Sequence, residues 1–171
     1  MIFCLSIMAY AQTPQDRATE LKKQAQSSLN QKDYIKARYL FKKAYEAFAS
    51  RENYPQAIEC GVQANALYVR ENFYKEGFEL CRDMEQLLWT GEQNKKKVFY
   101  DLRFLINKER LQMYTALKNP AQAKTQLDKL EEMANLAKND SLTEVLLYTK
   151  ANYYYTFNQS TQGCLLYTSD A

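Results

Sequence analysis

The chain has 171 residues, with only 4 glycines, 3 prolines and 46% apolar residues, a composition typical of a folded and mostly helical protein rather than a disordered one. Its formal net charge of +3 is too small and too evenly spread to indicate a nucleic-acid or membrane-surface partner. Histidine is absent, so these residues cannot supply Ser-His catalysis or a histidine-bound zinc ion.

The first residues contain an apolar run that ends in Ala9-Tyr10-Ala11, a small-x-small pattern that signal peptidase accepts. We interpret residues 1–11 as the remainder of a secretion signal, which predicts an exported protein on the periplasmic side. The run is about ten residues long, far short of the roughly 20 that a membrane span requires. A buried first helix in a cytoplasmic protein is the alternative, although the run shows no helical periodicity.

Three segments of the chain share one pattern: DYIKARYLFKKAYEAF, NFYKEGFELCRDMEQL and NPAQAKTQLDKLEEMA. Each places small or apolar residues at the same offsets, in steps that put them on one stripe of a helix. We expect the small residue at the first offset to let a neighbouring helix approach closely. The residues predicted to pack the repeats together are Ala37, Phe41, Ala44 and Phe48, then Gly77, Cys81, Met84 and Leu88, then Ala123, Leu127, Leu130 and Ala134.

A further helical segment lies upstream of each of these segments, and a short turn joins the two. Asp33, Asn72 and the Asn119-Pro120 step are good helix starts, because Asp and Asn accept from free amides of the first turn and Pro has a suitable φ. The chain is therefore predicted to be a row of helical hairpins.

Helix stops and a further start complete this prediction. Gly91 and Asn139 are interpreted as stops, and Ser141 with Glu144 forms a capping-box pattern that begins another helix. Seven helices are predicted, at about 15–30, 33–49, 53–71, 73–89, 95–118, 120–137 and 140–157.

These hairpins resemble the tetratricopeptide repeat (TPR) family, in which a small residue and then a large apolar one mark the second helix. The first pair matches best, with Leu21 and Ala25 before the stripe that begins at Ala37. The small residues at 37, 77 and 123 are spaced by 40 and 46 residues, against the family's 34. The resemblance implies an all-α fold, a right-handed solenoid of antiparallel hairpins over a domain at residues 12–163.

The resemblance also implies a concave groove, lined by the first helix of each hairpin, that takes extended peptides or partner helices. Candidate groove residues are Lys22 and Gln26, which resemble part of the two-carboxylate clamp of chaperone-binding TPR adaptors. The clamp itself is rejected, because Leu105 and Glu109 stand where the third pair would need basic side chains.

A run of three tyrosines, Tyr153, Tyr154 and Tyr155, is the other candidate for partner binding. Three successive helical residues cannot all face one core, so at least one is expected on a surface. The alternatives are packing against a following helix and anchoring a partner. Trp89 is expected to pack between hairpins.

The last residues break the repeat pattern after Gly163. Residues 164–171, CLLYTSDA, are what the codons TGT CTC TTA TAC ACA TCT GAC GCT would encode, which resembles a translated sequencing adapter, so we interpret them as a non-native tail. A natural frayed terminus is the alternative. We expect that the genuine protein continues beyond residue 163.

With Cys4 assigned to the signal and Cys164 to the tail, Cys60 and Cys81 remain, on the two helices of the second hairpin. Their distances from the turn differ by about 5 Å along the helix axes, which makes a disulfide uncertain. Two small buried core residues are the favoured interpretation.

No catalytic constellation or phosphate-binding glycine loop is visible, so neither an enzyme nor a cofactor is predicted. A protein or peptide partner is expected. Two hypotheses remain: the exported sensory region of a larger bacterial signal-transduction protein, by analogy with sensors that begin with a signal peptide and helical repeats, or a self-contained adaptor that scaffolds partners.

Overall fold

A computed structural model describes residues 14–157 of the chain, so the predicted secretion signal and the predicted tail lie outside the described residues. The described part is all helical and contains no strand. Seven helices follow one another: α1 (Pro14–Asn30), α2 (Tyr34–Ala49), α3 (Tyr54–Arg70), α4 (Tyr74–Lys95), α5 (Tyr100–Ala116), α6 (Pro120–Ala137) and α7 (Asp140–Thr156).

Four of the turns between helices have the same hydrogen bonds. Between α1 and α2, the Lys32 amide donates to the Leu29 carbonyl and the Asp33 amide donates to the Ser28 carbonyl, both at 2.9 Å. The residue just before the helix N-cap has a positive φ in five turns, in which it is Lys32, Glu52, Asn72, Lys118 or Lys138. This left-handed residue satisfies carbonyls at the end of one helix and reverses the chain at once.

The turns also set a regular spacing along the chain. The N-caps at residues 33, 53 and 73 are 20 residues apart, and so are those at 99, 119 and 139. The interval from 73 to 99 is 26 residues, so six extra residues lie in α4 and the loop after it. This single insertion accounts for the unequal spacing of the small residues in the sequence.

Side-chain caps differ in part from those predicted. Asp33 accepts from the Lys36 amide and Asn119 from the Gln122 amide, as expected for helix starts. The predicted capping box at Ser141 and Glu144 is wrong, because Asn139 accepts from the Ser141 amide and caps α7. Asn72 is not a cap either: Phe73 takes that position without a side-chain bond, and Asn72 supplies the left-handed residue before it.

Helix α4 is longer than predicted and α5 begins later. The expected stop at Gly91 is wrong, since α4 continues to Lys95 and buries Gly91 within it. A Cβ added at Gly91 would lie 2.5–2.9 Å from ring atoms of Tyr54 in α3. The glycine is therefore needed because an aromatic ring packs against the α4 backbone there, and it does not mark a helix end.

Glu92 holds the loop between α4 and α5 in place. It is 8% exposed, and its Oε1 accepts from the Phe99 amide at 2.9 Å and from Arg103 Nε at 2.8 Å. Its Oε2 forms an ion pair with Arg103 Nη2. The hydrogen bond from Arg103 is the main cause that lowers the pKa of Glu92 below its ordinary value. A charged and buried carboxylate thus ties the end of α4 to the first turn of α5.

Each helix packs against the next one in the chain, and α3 also contacts α5, as α5 contacts α7. No comparably extensive contact links α2 to α4 or α4 to α6 within residues 14–157. Helices α3, α5 and α7 are thus neighbours in turn, and α1 reaches α3 through the side chain of Lys22, whereas no such contact is seen between successive even-numbered helices in the described residues. One apolar core lies among α1 to α5 and a second among α5 to α7. No described helix is long and apolar enough to cross a membrane.

Candidate functional site

The residues predicted to pack the repeats occupy the same places in α2, α4 and α6, namely the fourth, eighth, eleventh and fifteenth of each helix. The structure buries all of them. At the fourth position of α4, a Cβ added to Gly77 would lie 2.7 Å from Met113 Sδ of α5 and 3.1 Å from Asn65 Oδ1 of α3. The small residue therefore lies where α4 meets two odd-numbered helices at once.

An aromatic contact recurs where one hairpin meets the next. The fifth residue of α2, Arg38, lies over the ring of Tyr68, the fifteenth residue of α3, at 4.8 Å from its centroid. The ring of Phe78, the fifth residue of α4, lies 4.8 Å from that of Tyr114, the fifteenth residue of α5. Equivalent positions therefore make equivalent contacts between hairpins. Trp89, expected at such a contact, is instead 54% exposed.

The predicted groove residues lie on α1, where Lys22 is the ninth residue and Gln26 the thirteenth. Lys22 donates to Gln56 Oε1 at 2.9 Å and pairs with Glu59 Oε2 at 2.7 Å, both on α3. Gln26 is exposed and donates to Asn30 Oδ1 at 3.1 Å in its own helix. The charge of Lys22 is thus already offset by α3.

The other odd-numbered helices show which residues occupy the same two positions. The ninth and thirteenth residues are Val62 and Ala66 in α3, Lys108 and Gln112 in α5, and Tyr148 and Asn152 in α7. The thirteenth residue is exposed in all four odd-numbered helices, and the ninth is exposed or half-buried. Leu105 and Glu109, which were expected at these positions in the third pair, are instead the sixth and tenth residues of α5, three residues before Lys108 and Gln112.

Glu109 lies in the interface between α3 and α5. It is 2% exposed, and its Oε2 accepts from Asn65 Nδ2 at 3.1 Å. Burial raises the pKa of this carboxyl, and it outweighs the opposite effects of the hydrogen bond from Asn65 and of Lys108, whose Nζ lies 3.9 Å from Oε1. Asn65 Oδ1 is buried and has no hydrogen-bond partner among the described residues. Glu109 therefore serves helix packing and cannot repel a peptide in a groove.

The three tyrosines near the end of α7 have different surroundings. Tyr153 is 5% exposed; its hydroxyl donates to the Pro120 carbonyl at 3.5 Å, and its ring centroid lies 5.0 Å from that of Phe157. Tyr154 is half-buried at the position that carries the hairpin contact in α3 and α5. Tyr155 is 46% exposed. The surface residue of the run is therefore Tyr155, while Tyr153 packs against α6.

A cleft of about 350 Å³ lies between α5 and α7. The ninth and thirteenth residues of both helices line it, so Lys108 and Gln112 meet Tyr148 and Asn152 across it. Tyr148 is 61% exposed, and Leu111 contributes apolar surface to the wall. A concave site with an apolar wall and several convergent amides and hydroxyls is the usual form of a ligand pocket.

The charges around this α5–α7 cleft are all positive. Lys108 and Lys118 line it, and no Asp or Glu does so among the described residues. Lys118 is exposed in the turn after α5, and no ion pair of Lys118 is found among residues 14–157. The carboxyl nearest to Lys108 is that of Glu109, whose Oε1 lies 3.9 Å from Nζ and so beyond hydrogen-bonding distance. The cleft therefore presents two ammonium groups to a ligand.

A second cavity, of about 410 Å³, lies on α2 beside the exposed side chains of Ile35 and Tyr39. Of its three cations, Arg38 pairs with Glu71 and Lys43 pairs with Glu46, which leaves Lys42 as the one without an ion pair among the described residues. It therefore offers less uncompensated charge than the α5–α7 cleft.

Four of the residues that line the cleft were missed by sequence reasoning: Lys108, Gln112, Tyr148 and Asn152. The small residues of the even-numbered helices were used to set the repeat register, and they say little about the odd-numbered helices. These four residues can be identified by counting from the start of the helix, since each is the ninth or the thirteenth residue of its helix.

Cys60 and Cys81 are both free and fully buried. Burial raises the pKa of each thiol to about 12. The structure therefore agrees with the favoured interpretation that Cys60 and Cys81 are core residues and form no disulfide. Thiols held in the neutral form are poor nucleophiles, so neither is suited to catalysis.

Within residues 14–157, no group of three Cys, Asp or Glu side chains is arranged to hold a metal ion. No family model matches the chain, and neither a curated protein nor a solved structure is similar to it.

Proposed function

We propose that this chain is a protein-binding helical-repeat scaffold of the TPR-like type, a right-handed solenoid in which the odd-numbered helices face the partner. Three features support the proposal. The stripe residues recur at equal positions in α2, α4 and α6, helix starts recur every 20 residues apart from one insertion, and α5 contacts both α3 and α7.

The α5–α7 cleft is the observation that carries this proposal. It is lined by two odd-numbered helices and the turn after α5, and it exposes Tyr148 together with the amides of Gln112 and Asn152. Tyrosine supplies a large contact area with few rotatable bonds, and amide side chains can donate to and accept from a peptide backbone. An extended segment of another protein is the ligand that these groups fit best.

The test is selection of peptides from a random twelve-residue library on residues 12–163, followed by affinity measurement. We expect Tyr148→Ala to weaken binding of selected peptides by about tenfold or more, as for an interface anchor. Tyr39→Ala is the matched control, because Tyr39 is equally exposed, at 61%, but lies on α2. Failure to select any peptide, or equal losses for the two variants, would reject the groove.

A second part of the proposal concerns location. We propose that the scaffold is the exported sensory region of a larger bacterial signal-transduction protein, with a self-contained adaptor in the periplasm or cytosol as the alternative. Residues 1–11 support export, and the sensor role rests on analogy of architecture. Fusing residues 1–30 to alkaline phosphatase tests export, because that enzyme is active only outside the cytoplasm. An inactive fusion that keeps residues 1–11 would reject it.

A further inference from the structure

If the chain binds a protein partner as proposed, the positive charge of the α5–α7 cleft indicates the charge of that partner. The cleft carries two lysines and no carboxylate among the described lining residues, whereas Lys22 on α1 is already paired with Glu59. A ligand of opposite charge therefore gains most at this end of the row of helices.

We propose that the α5–α7 cleft selects an acidic, extended peptide segment whose carboxylates lie at Lys108 and Lys118. An apolar side chain of the segment packs between Val145 and Tyr148, which are 37% and 61% exposed. Gln112 lies along the wall between the two lysines and hydrogen-bonds the peptide backbone. The partner is thus a second protein with acidic and apolar residues in an extended stretch.

The separation of the two lysines sets the spacing of the acidic residues. Lys108 lies eight positions before Ala116, where α5 ends, which corresponds to roughly 12 Å along the helix axis, and Lys118 follows in the turn. An extended strand rises about 3.3 Å per residue. Acidic residues four or five positions apart in the peptide would therefore reach both ammonium groups, with an apolar residue between them.

The state of Glu109 keeps Lys108 available. Its carboxyl is the nearest to Lys108, at 3.9 Å, but it is buried and hydrogen-bonded to Asn65, and burial raises its pKa. Lys108 Nζ lies beyond hydrogen-bonding distance of this carboxyl, so its N–H groups can still donate to a ligand. Lys118, in the turn, is exposed to water and to any ligand.

The experiment uses nine-residue peptides with both termini capped, so that only side-chain charge differs. One carries two Glu residues four positions apart around Leu and Tyr, and matched peptides carry Gln or Lys instead. We expect the Glu peptide to bind the protein about tenfold more tightly than the Gln peptide at low salt. The difference should shrink at high salt, because exposed charges are screened.

The decisive variant is Lys108→Gln with Lys118→Asn, since asparagine tolerates the positive φ of Lys118. It should bring the affinities for the Glu and Gln peptides to within about twofold. The matched control is Lys129→Gln with Lys138→Asn, which removes the same charge outside the cleft and also replaces a lysine of positive φ. This control should keep the preference. The salt dependence of the unchanged protein tests the same point without any variant.

The outcomes separate this proposal from the proposed function. Equal affinity for Glu and Gln peptides, with both weakened by Tyr148→Ala, would leave the groove in place and overturn its selection for acid. Absence of binding by every peptide would overturn both. A dimer that Tyr148→Ala dissociates and no peptide disrupts would make a second copy of the chain the occupant, and would also overturn the proposal.

Discussion

The ring of Tyr54 packs against helix α4 at Gly91, where a side chain would collide with it. A Cβ there would lie 2.5 Å from Tyr54 Cζ. The ring is also confined on another side by Phe99, whose centroid is 5.5 Å away, and only 4% of Tyr54 is exposed. The tyrosine therefore has little room to move away from a larger residue.

Gly91→Ala is expected to destabilise the protein by up to about 2 kcal/mol, because an overpacking cost of about 1–3 kcal/mol against a confined ring outweighs the roughly 1 kcal/mol that alanine gains in a helix. Urea unfolding followed by circular dichroism measures the change. The matched control is Gly61→Ala, where the obstructing atom is the flexible end of Met84, at 2.5 Å from the added Cβ. A loss at Gly61 as large as that at Gly91 would contradict the role given to Tyr54.

Glu92→Gln is expected to cost about 1.5–3 kcal/mol at pH 7, because two charge-assisted bonds to Arg103 are weakened. The pKa of Glu92 is lowered in the folded protein, so its charge stabilises the fold above the unfolded pKa of about 4.3. That contribution is lost as the pH falls through the folded pKa, so the difference between Glu92→Gln and the unchanged protein should narrow in acid. Thermal unfolding between pH 3 and 7 measures this difference in stability. The control is Glu132→Gln, at an exposed carboxyl, which should change stability by less than about 0.5 kcal/mol.

In contrast to Glu92→Gln, the substitution Glu109→Gln is expected to stabilise the protein near neutral pH. The pKa of Glu109 is raised by burial, so the folded state binds its proton more tightly than the unfolded state, and stability is lost as the pH rises above about 4.3. Glutamine carries no charge, and its amide can donate to Asn65 Oδ1, which has no partner in the described residues. We expect a gain on the order of 1 kcal/mol at pH 8, shrinking toward pH 4. A Glu109→Gln protein less stable than the unchanged one at pH 8 would show that the charged form is favoured.

Lys32→Gly is expected to stabilise the protein by about 0.5–1 kcal/mol. Lysine at a φ of 61° costs about 1–2 kcal/mol, because its Cβ is crowded in the left-handed region. Glycine removes this cost, but it also loses more conformational entropy on folding, so the net gain is smaller. Lys42→Gly, in the middle of α2, is the control and should cost about 1 kcal/mol. Equal effects at the two positions, measured by urea unfolding, would contradict the assignment of strain to the turn.

The even-numbered helices could be predicted from the sequence because their signal is local. Ala37, Gly77 and Ala123 recur with apolar residues at fixed offsets, and a helix turns such a pattern directly into a buried stripe. The turns at Asp33 and Asn119 were found for the same reason, since a cap bonds an amide only three residues away.

The length of α4 and the place of Glu109 could not be found in this way, because both depend on distant residues. Gly91 reads as a helix stop until Tyr54, 37 positions earlier, is seen to lie against it. Glu109 is the tenth residue of α5, and the tenth residues of α1 and α3, Lys23 and Gln63, are exposed. In α5 the packing of α3 buries this position, and the tenth residue of α7, Thr149, is buried as well. The α5–α7 cleft was missed as well, because its lining residues share helix positions rather than residue types.

Contacts that run only between near neighbours let one end of a helical array open while the rest stays folded. Within residues 14–157, helix α7 packs chiefly on α6 and α5, and less extensively than α5 packs on α6, so its amides should exchange with deuterium before those of α2 or α3. Since α7 forms one wall of the cleft, a bound segment would contact both α5 and α7 and so reduce the local unfolding of α7. Binding of a ligand should then slow the amide hydrogen exchange of α7.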